Sequence, residues 1–366
     1  MAGGGKDGYE LFVPGRLCLF GEHSDWAAQY GLHPGYCLVI GTDQGLTATV
    51  RPAEKFSVET DLPDAAGRPS GRRRQMSCDW SPDTLMAAAQ DEQEFFRYCA
   101  GVAHGMFYHS GVTGGIDLRI ESFDLPLRKG VSSSAAVCIL MAKAFDAVYE
   151  LGMFPHELME VAYRGERLTG SQCGRMDQAC IYGKTPVLLT FQKSADVRVE
   201  PLFPGRRIEM FFVDLGGQKD TVRILSDLHA AYLCDLDVQR GLGAQNELIV
   251  RQAYRALNSG DAALLGELMG QAQSSFDRLV APASREQLAS PLLHELLAFE
   301  PIREHIFGGK GVGSQGDGTA QFVARSAADR DAAIAKISNA MPNMRCFPLT
   351  ISASRAPRQD RGRDSF

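Results

Sequence analysis

The chain has 366 residues, 45% of them apolar and 22% charged, and a formal charge of −6. This is the composition of an ordinary globular protein, with enough residues for a large core and more than one domain. The negative balance gives no footprint for nucleic acid or an anionic membrane, and the basic triplet Arg72, Arg73 and Arg74 stands among Gly, Pro, Ser and Asp, as in a solvated loop.

No uninterrupted apolar stretch reaches bilayer length, and the opening MAGGGKDGYE lacks the apolar segment of a secretory signal, so a cytoplasmic protein is expected. The nine cysteines form no CxxC pair. Cys18, Cys37, Cys138 and Cys180 lie in apolar runs and read as reduced core residues.

Residues 1–8 are Gly-rich and are expected to be disordered, as is the polar tail 355–366. YELFVPGRLCL, Tyr9 to Leu19, reads as strand, turn and strand, and GYCLVIGTDQGLTATVRP as a second strand pair. Between them lies the polar segment Gly21 to Gly35, a place to meet a small polar ligand. Residues 61–83 read as a loop or exposed hairpin. Asp91 to Ser110 has helical spacing, with Phe95, Cys99, Val102 and Phe107 sharing a face.

GIDLRIESF, Gly115 to Phe123, alternates as a strand and leads into PLRKGVSSSAA, from which a helix runs to Tyr149. HELMEVAYRGERLTG continues helically and carries Glu166, CGRMDQ follows, and PVLLTF is a strand by composition. A second domain is expected from residue 198 to 354, after a first spanning 9–197. It opens with the strand Ile208 to Asp214. Helical stretches follow over Thr221 to Ala256, Asp261 to Val280 and Leu292 to Phe299, and the domain closes with strand, helix and strand from Ala320 onward.

Three stretches carry chemistry. The turn at Gly130 with Ser132, Ser133 and Ser134 precedes a helix whose first N–H groups lack internal partners, and together with the helix dipole these make a phosphate site. Alone, serines before an apolar run are most often an ordinary N-cap. The others are PGRLCLFGEHSD, residues 14–25, and GGKGVGSQGDG, residues 308–318. The spacing around Gly130 differs from GxxxxGK[ST], which argues against a P-loop nucleotidase.

These three motifs, in this order, resemble the signature motifs of the GHMP small-molecule kinases, over roughly residues 11 to 325, with the galactokinase and arabinokinase-like sugar kinases most similar. The resemblance implies a two-domain α+β fold, an N-terminal ribosomal-protein-S5-like α/β domain followed by a C-terminal ferredoxin-like α+β domain, with the active site between them. It implies ATP phosphates cradled by Lys129, Gly130, Val131, Ser132, Ser133, Ser134 and Ala135, with Mg²⁺ on Ser134 and Glu166. It implies Asp177 as the catalytic base, assisted by Arg16. Glu22, His23, Asp25 and Gly174 then hold the sugar, the Glu-His-x-Asp run and CGRMDQ being the features that favour a sugar.

The expected reaction is transfer of a phosphoryl group from ATP to a monosaccharide hydroxyl, the anomeric one by resemblance, in a monomer or homodimer. Phosphoryl transfer needs phosphates held, a metal to neutralise them and a group to orient the attacking hydroxyl, and the sequence offers a residue for each. A mevalonate-type kinase is the alternative, disfavoured because Glu22 and Asp25 would repel a substrate carboxylate. A catalytically silent sugar- and ATP-binding regulator is another, opposed by the intact Arg16, Ser134, Glu166 and Asp177. Several departures stand out. Trp26 to Gly31 replaces the usual Tyr-Asn-Gly continuation. Arg128 and Lys129 replace glycines. Asp317 interrupts a glycine run and has no assigned role; near phosphates it would repel them unless it faces a metal, a lysine such as Lys310, or the acceptor. Lys219 and Thr221, in GGQKDT, are candidates for the cleft.

Overall fold

The computed structural model describes residues 8–63, 69–124, 133–193 and 197–354. The expected phosphate-loop residues Lys129, Gly130, Val131 and Ser132 lie outside these, as do the tails 1–7 and 355–366.

The first sheet is organised by β2 (Gly35–Ala53), which pairs with β1 (Tyr9–Phe20) along one edge. Its other edge pairs with β6 (Val187–Phe191) and β5 (Gly115–Phe123). Two expected strand pairs are thus single strands. Pro14 leaves only a register shift before Arg16, and Gly41 and Gly45 lie inside β2, because ladders on both edges outweigh the local turn signals. The hairpin β3 (Phe56–Pro63) and β4 (Pro69–Cys78) joins β5 through a parallel β3–β5 pairing. The order is β4-β3-β5-β2-β6-β7, with β1 beside β2. β7 (Val197–Pro201) pairs with β6, so this sheet continues through Pro201, past the boundary expected at residue 198.

The short helix α1 (Ser24–Ala27) leaves the end of β1. Helices α2 (Pro82–Gln90), α3 (Arg97–Phe107), α4 (Ser133–Tyr149) and α5 (Pro155–Leu168) share the core with this sheet. α3 starts six residues later than its spacing predicted. Phe95 is therefore outside it and 53% exposed, while Cys99 and Val102 are buried. α4 is apolar nearly all round, from Ala135 to Phe145, which suits a helix enclosed between sheet and helices.

The second sheet has β8 (Ile208–Asp214), β9 (Ile306–Gly311), β10 (Thr319–Ala324) and β11 (Arg345–Ile351) in the order β11-β8-β10-β9, all antiparallel. With it stand α6 (Thr221–Tyr232), α7 (Leu236–Leu242), α8 (Ala244–Ser259), α9 (Ala262–Leu279), α10 (Arg285–Leu288), α11 (Pro291–Leu297) and α12 (Ala327–Ala340). Side-chain caps set several helix starts: Asp220 accepts from the Arg223 N–H, Asp261 from that of Leu264 and Ser326 from that of Asp329. The sheets meet at β1, where Gln321 of β10 donates to the carbonyl of Cys18 at 2.7 Å. Among the described residues no helix is long and apolar enough to cross a membrane.

Candidate active site

The junction of the two sheets gathers most of the residues singled out above. Arg16, on β1, is buried and donates from Nε to Asp177 Oδ1 at 2.9 Å, with a second, shorter contact from its terminal nitrogen. Burial works against the guanidinium charge, but Asp177 and, to a smaller extent, Cys18 and Asp25 together outweigh it and raise the Arg16 pKa. Asp177 opens the 3₁₀ turn Asp177–Tyr182 and keeps a quarter of its side chain exposed.

The segment after β1 turns sharply. Gly21 has φ +99°, and a Cβ there would lie 2.0 Å from the Tyr36 carbonyl oxygen. Ser24 ties the turn to β2: its Oγ accepts from the Tyr36 N–H at 3.1 Å and has the Gly21 carbonyl at 2.8 Å and the Tyr36 carbonyl at 3.0 Å as acceptors for its one proton. His23 sits at φ 68°, a left-handed conformation that histidine adopts uncommonly. Its Nδ1 accepts from Trp26 Nε1 at 3.1 Å, so the proton sits on Nε2. Burial, and next the Lys219 charge, lower its pKa to about 3 and keep the ring neutral. Nε2 lies near the Ser314 backbone carbonyl but makes no well-formed hydrogen bond, leaving a buried donor unsatisfied.

Asp25 is buried and accepts from the Met176 N–H at 3.2 Å. A Cβ on Gly174 would lie 1.7 Å from Asp25 Oδ2, so Gly174 is the residue that lets this carboxylate seat itself beside the Asp177 segment. Gly174→Ala is therefore expected to expel the Asp25 carboxylate and raise the acceptor KM at least tenfold; steady-state kinetics showing an unchanged KM would refute the coupling. Burial first, then the Asp177 charge, push the Asp25 pKa from 3.8 to about 6.

A raised carboxyl pKa favours folding below the unfolded value, and that contribution is lost as pH rises through the folded value. Wild type is expected to lose on the order of 3 kcal/mol relative to Asp25→Asn between about pH 4 and pH 6. Parallel urea curves for the two proteins across that window would contradict it.

Glu166, near the end of α5, is 2% exposed. Burial, then Asp177, raise its pKa from 4.5 to about 7, while hydrogen bonds from Ser134, Gln178 and Cys173 favour the ionised form. Gln178 donates to it at 2.9 Å and has an unpartnered Oε1. A buried carboxylate, a serine hydroxyl and an unused amide oxygen form an oxygen donor set suited to a hard cation such as Mg²⁺, and the residues present therefore fit that metal. Ser133, Ser134 and Ala135 stand in the first described turn of α4.

Two residues stand apart from expectation. Glu22 is buried in an ion pair with Lys310, which also donates to the Gly311 carbonyl at 2.7 Å. Glu22 and Lys310 also border a cavity of about 40 Å³, room for about one water or two. Asp317, for which Lys310 was the possible counter-charge, instead accepts from the Leu293 N–H at 3.0 Å in the first turn of α11. Sequence reasoning missed a wall of aromatics: Trp26 stacks on His229 with centroids 4.0 Å apart, and Tyr30 bonds His229 Nδ1 at 2.8 Å. The replacement of the usual residues after Asp25 was the available signal, but the partners lie on α6, some two hundred residues away.

Known proteins resemble this chain in sequence and in fold. Residues 97–184 match the family described as GHMP kinases N terminal domain. The chain is 28% identical over 198 residues to a galactokinase of Roseiflexus sp. (strain RS-1), covering 52% of this chain and 45% of that protein, so the match spans less than half the relative's length. A solved structure of Lactococcus lactis galactokinase complexed with galactose superposes with a TM-score of 0.69 at 17% identity, covering 94% of each chain. Methanococcus jannaschii mevalonate kinase superposes with a TM-score of 0.70 at 15% identity, covering 96% of this chain and 99% of that one. At such identities the superpositions establish the GHMP kinase fold alone.

Proposed function

From a GHMP kinase N-terminal domain over residues 97–184, set in the two-domain GHMP kinase fold, we propose that this chain is a sugar kinase transferring a phosphoryl group from ATP to a monosaccharide hydroxyl, the anomeric one by family analogy. The observation that carries the reading is the Arg16–Asp177 pair, seated beside Glu166 and the first turn of α4.

Asp177 receives the acceptor hydroxyl. A sugar hydroxyl holds its proton far more tightly than a carboxylate does, so Asp177 orients it first and takes the proton late, as the largely dissociative transition state develops. Arg16 pairs with the carboxylate and offsets charge on the transferring group. Ser133, Ser134 and Ala135 offer helix N–H groups and hydroxyls to the ATP phosphates. Ser134 and Glu166 would hold Mg²⁺, which when bound neutralises phosphate charge. Asp25 and His23 meet the acceptor.

The test is ATP-dependent phosphorylation across a panel of galactose, arabinose, glucose, glucuronate and mevalonate, with phosphorus NMR of the product to identify the hydroxyl modified. Turnover of one sugar supports the proposal. Turnover of mevalonate alone would replace it with the isoprenoid-precursor reading. Binding of ATP and a sugar without turnover would replace it with a regulatory one.

A further inference from the structure

A second opening lies at the edge of the first sheet, bounded by one face of α5, the residue Arg175 and the edge strand β7. It encloses about 250 Å³. Met159, Val197 and Val199 give it an apolar wall, and Glu160, Arg164 and Arg175 a charged one, with His156 beside them. A cavity of roughly 150 Å³ already accommodates benzene, so this one has room for a substituted ring.

The charged wall is unbalanced. Arg164 Nε donates to Glu160 Oε1 at 2.8 Å, while Arg175 donates from Nε to Oε2 at 3.0 Å and from Nη2 to Oε1 at 3.3 Å. Two guanidiniums thus stand side by side on one carboxylate, and among the described residues no second carboxylate lines the cavity. Arg175 is also held in place: its guanidinium lies 3.9 Å over the Tyr163 ring and its side chain is 17% exposed. Its Nη1 makes no hydrogen bond with the described residues, and neither do the terminal nitrogens of Arg164. Unused N–H donors of two adjacent guanidiniums, facing an apolar wall, suit a carboxylate or phosphate carried on a ring.

We propose that this cavity is a second ligand site, for a small oxyanion carried on an apolar ring, and that its occupation acts on the acceptor site. Arg164 and the free edge of Arg175 take the oxyanion, and Met159, Val197 and Val199 cover the ring. Glu160 is the internal competitor, since it already holds the same two guanidiniums. Arg175 joins the two sites along the chain. Gly174 before it lies against Asp25, Met176 after it donates to Asp25 at 3.2 Å, and Asp177 follows. A ligand that draws Arg175 from Glu160 therefore shifts the peptide that seats both carboxylates. The binding site stands on these residues alone, and only its effect on turnover rests on the kinase reading.

The test is calorimetric binding of phenyl phosphate, benzoate and inorganic phosphate to wild type, Arg164→Gln, Glu160→Gln and Val199→Trp. Phenyl phosphate is expected to bind wild type roughly tenfold tighter than inorganic phosphate, because only the ring meets the apolar wall. Phenyl phosphate against benzoate identifies the preferred oxyanion. Arg164→Gln should weaken phenyl phosphate about fivefold or more, Glu160→Gln should tighten it by removing the competitor, and Val199→Trp should abolish binding by filling the cavity. The Arg164 side chain is 73% exposed, so its variant keeps the fold even if the tryptophan does not. Coupling is read without turnover from the Met176 amide resonance in protein labelled with nitrogen-15 methionine, which should shift on binding. In kinetics, phenyl phosphate should change the acceptor KM about twofold or more in wild type and not in Val199→Trp. No binding of phenyl phosphate or benzoate, or binding equal in wild type, Arg164→Gln and Val199→Trp, overturns the site. A Met176 resonance unmoved by bound phenyl phosphate overturns the action on the acceptor site. Binding with the expected variant effects and a shifted Met176 resonance, but no turnover of any acceptor, upholds the inference and defeats the kinase reading.

Discussion

Asp177→Asn is expected to lower kcat by about 10²- to 10⁴-fold, the usual worth of a positioned proton acceptor, with ATP affinity little changed. Asparagine keeps nearly the same shape and can still accept from Arg16, so the variant removes basicity and charge while keeping the turn that presents the residue. It offers a second readout independent of turnover. Asp177 is the second largest influence raising the pKa of both Asp25 and Glu166, after burial. Loss of its charge should therefore move both carboxyls down together, toward the ordinary range, observable by NMR titration of labelled carboxyl carbons. Full activity in Asp177→Asn would remove it from catalysis, and unmoved titrations of Asp25 and Glu166 would mean that the three carboxylates are not electrostatically joined.

Lys310→Met is expected to destabilise the folded protein by about 3–5 kcal/mol, because it strands the Glu22 carboxylate in a site where both members are almost wholly inaccessible. An exposed ion pair would cost no more than about 1 kcal/mol. The difference is large enough to read in a urea titration. The double variant Glu22→Gln with Lys310→Met should regain most of the loss, since the buried charge goes together with its partner and a neutral amide needs far less compensation. A single-variant cost below about 1 kcal/mol would show that water reaches the pair. No regain in the double variant would mean that Lys310 acts through packing and its bond to the Gly311 carbonyl instead. Because Glu22 lies just beyond β1 and Lys310 on β9, this pair also ties the two sheets together.

Much of the site was legible in the chain as written. Arg16, Ser134, Glu166 and Asp177 stand in short motifs with fixed spacing, and the fold brings Arg16 onto Asp177 and couples Glu166 to Ser134 and Asp177. Gly174 was legible as part of CGRMDQ, although the reason for it, contact with Asp25, needed coordinates. The segment Lys129 to Ser132 lies outside the described residues, so the cradle is described only from Ser133 onward.

By itself the sequence determined the alternation of strands and helices and the grouping of candidate polar residues into short motifs, because propensities and motif spacing act over a few neighbouring residues. Only the tertiary structure decided what depends on long-range pairing. It joined two expected hairpins into single strands β1 and β2, assigned β7 to the first sheet, and turned Asp317 onto α11. It also matched Glu22 with Lys310, 288 positions away. Whether a carboxylate in a motif meets a substrate or a lysine depends on which charge the packing of distant segments brings within a few ångströms, in a medium where an unmatched one cannot remain.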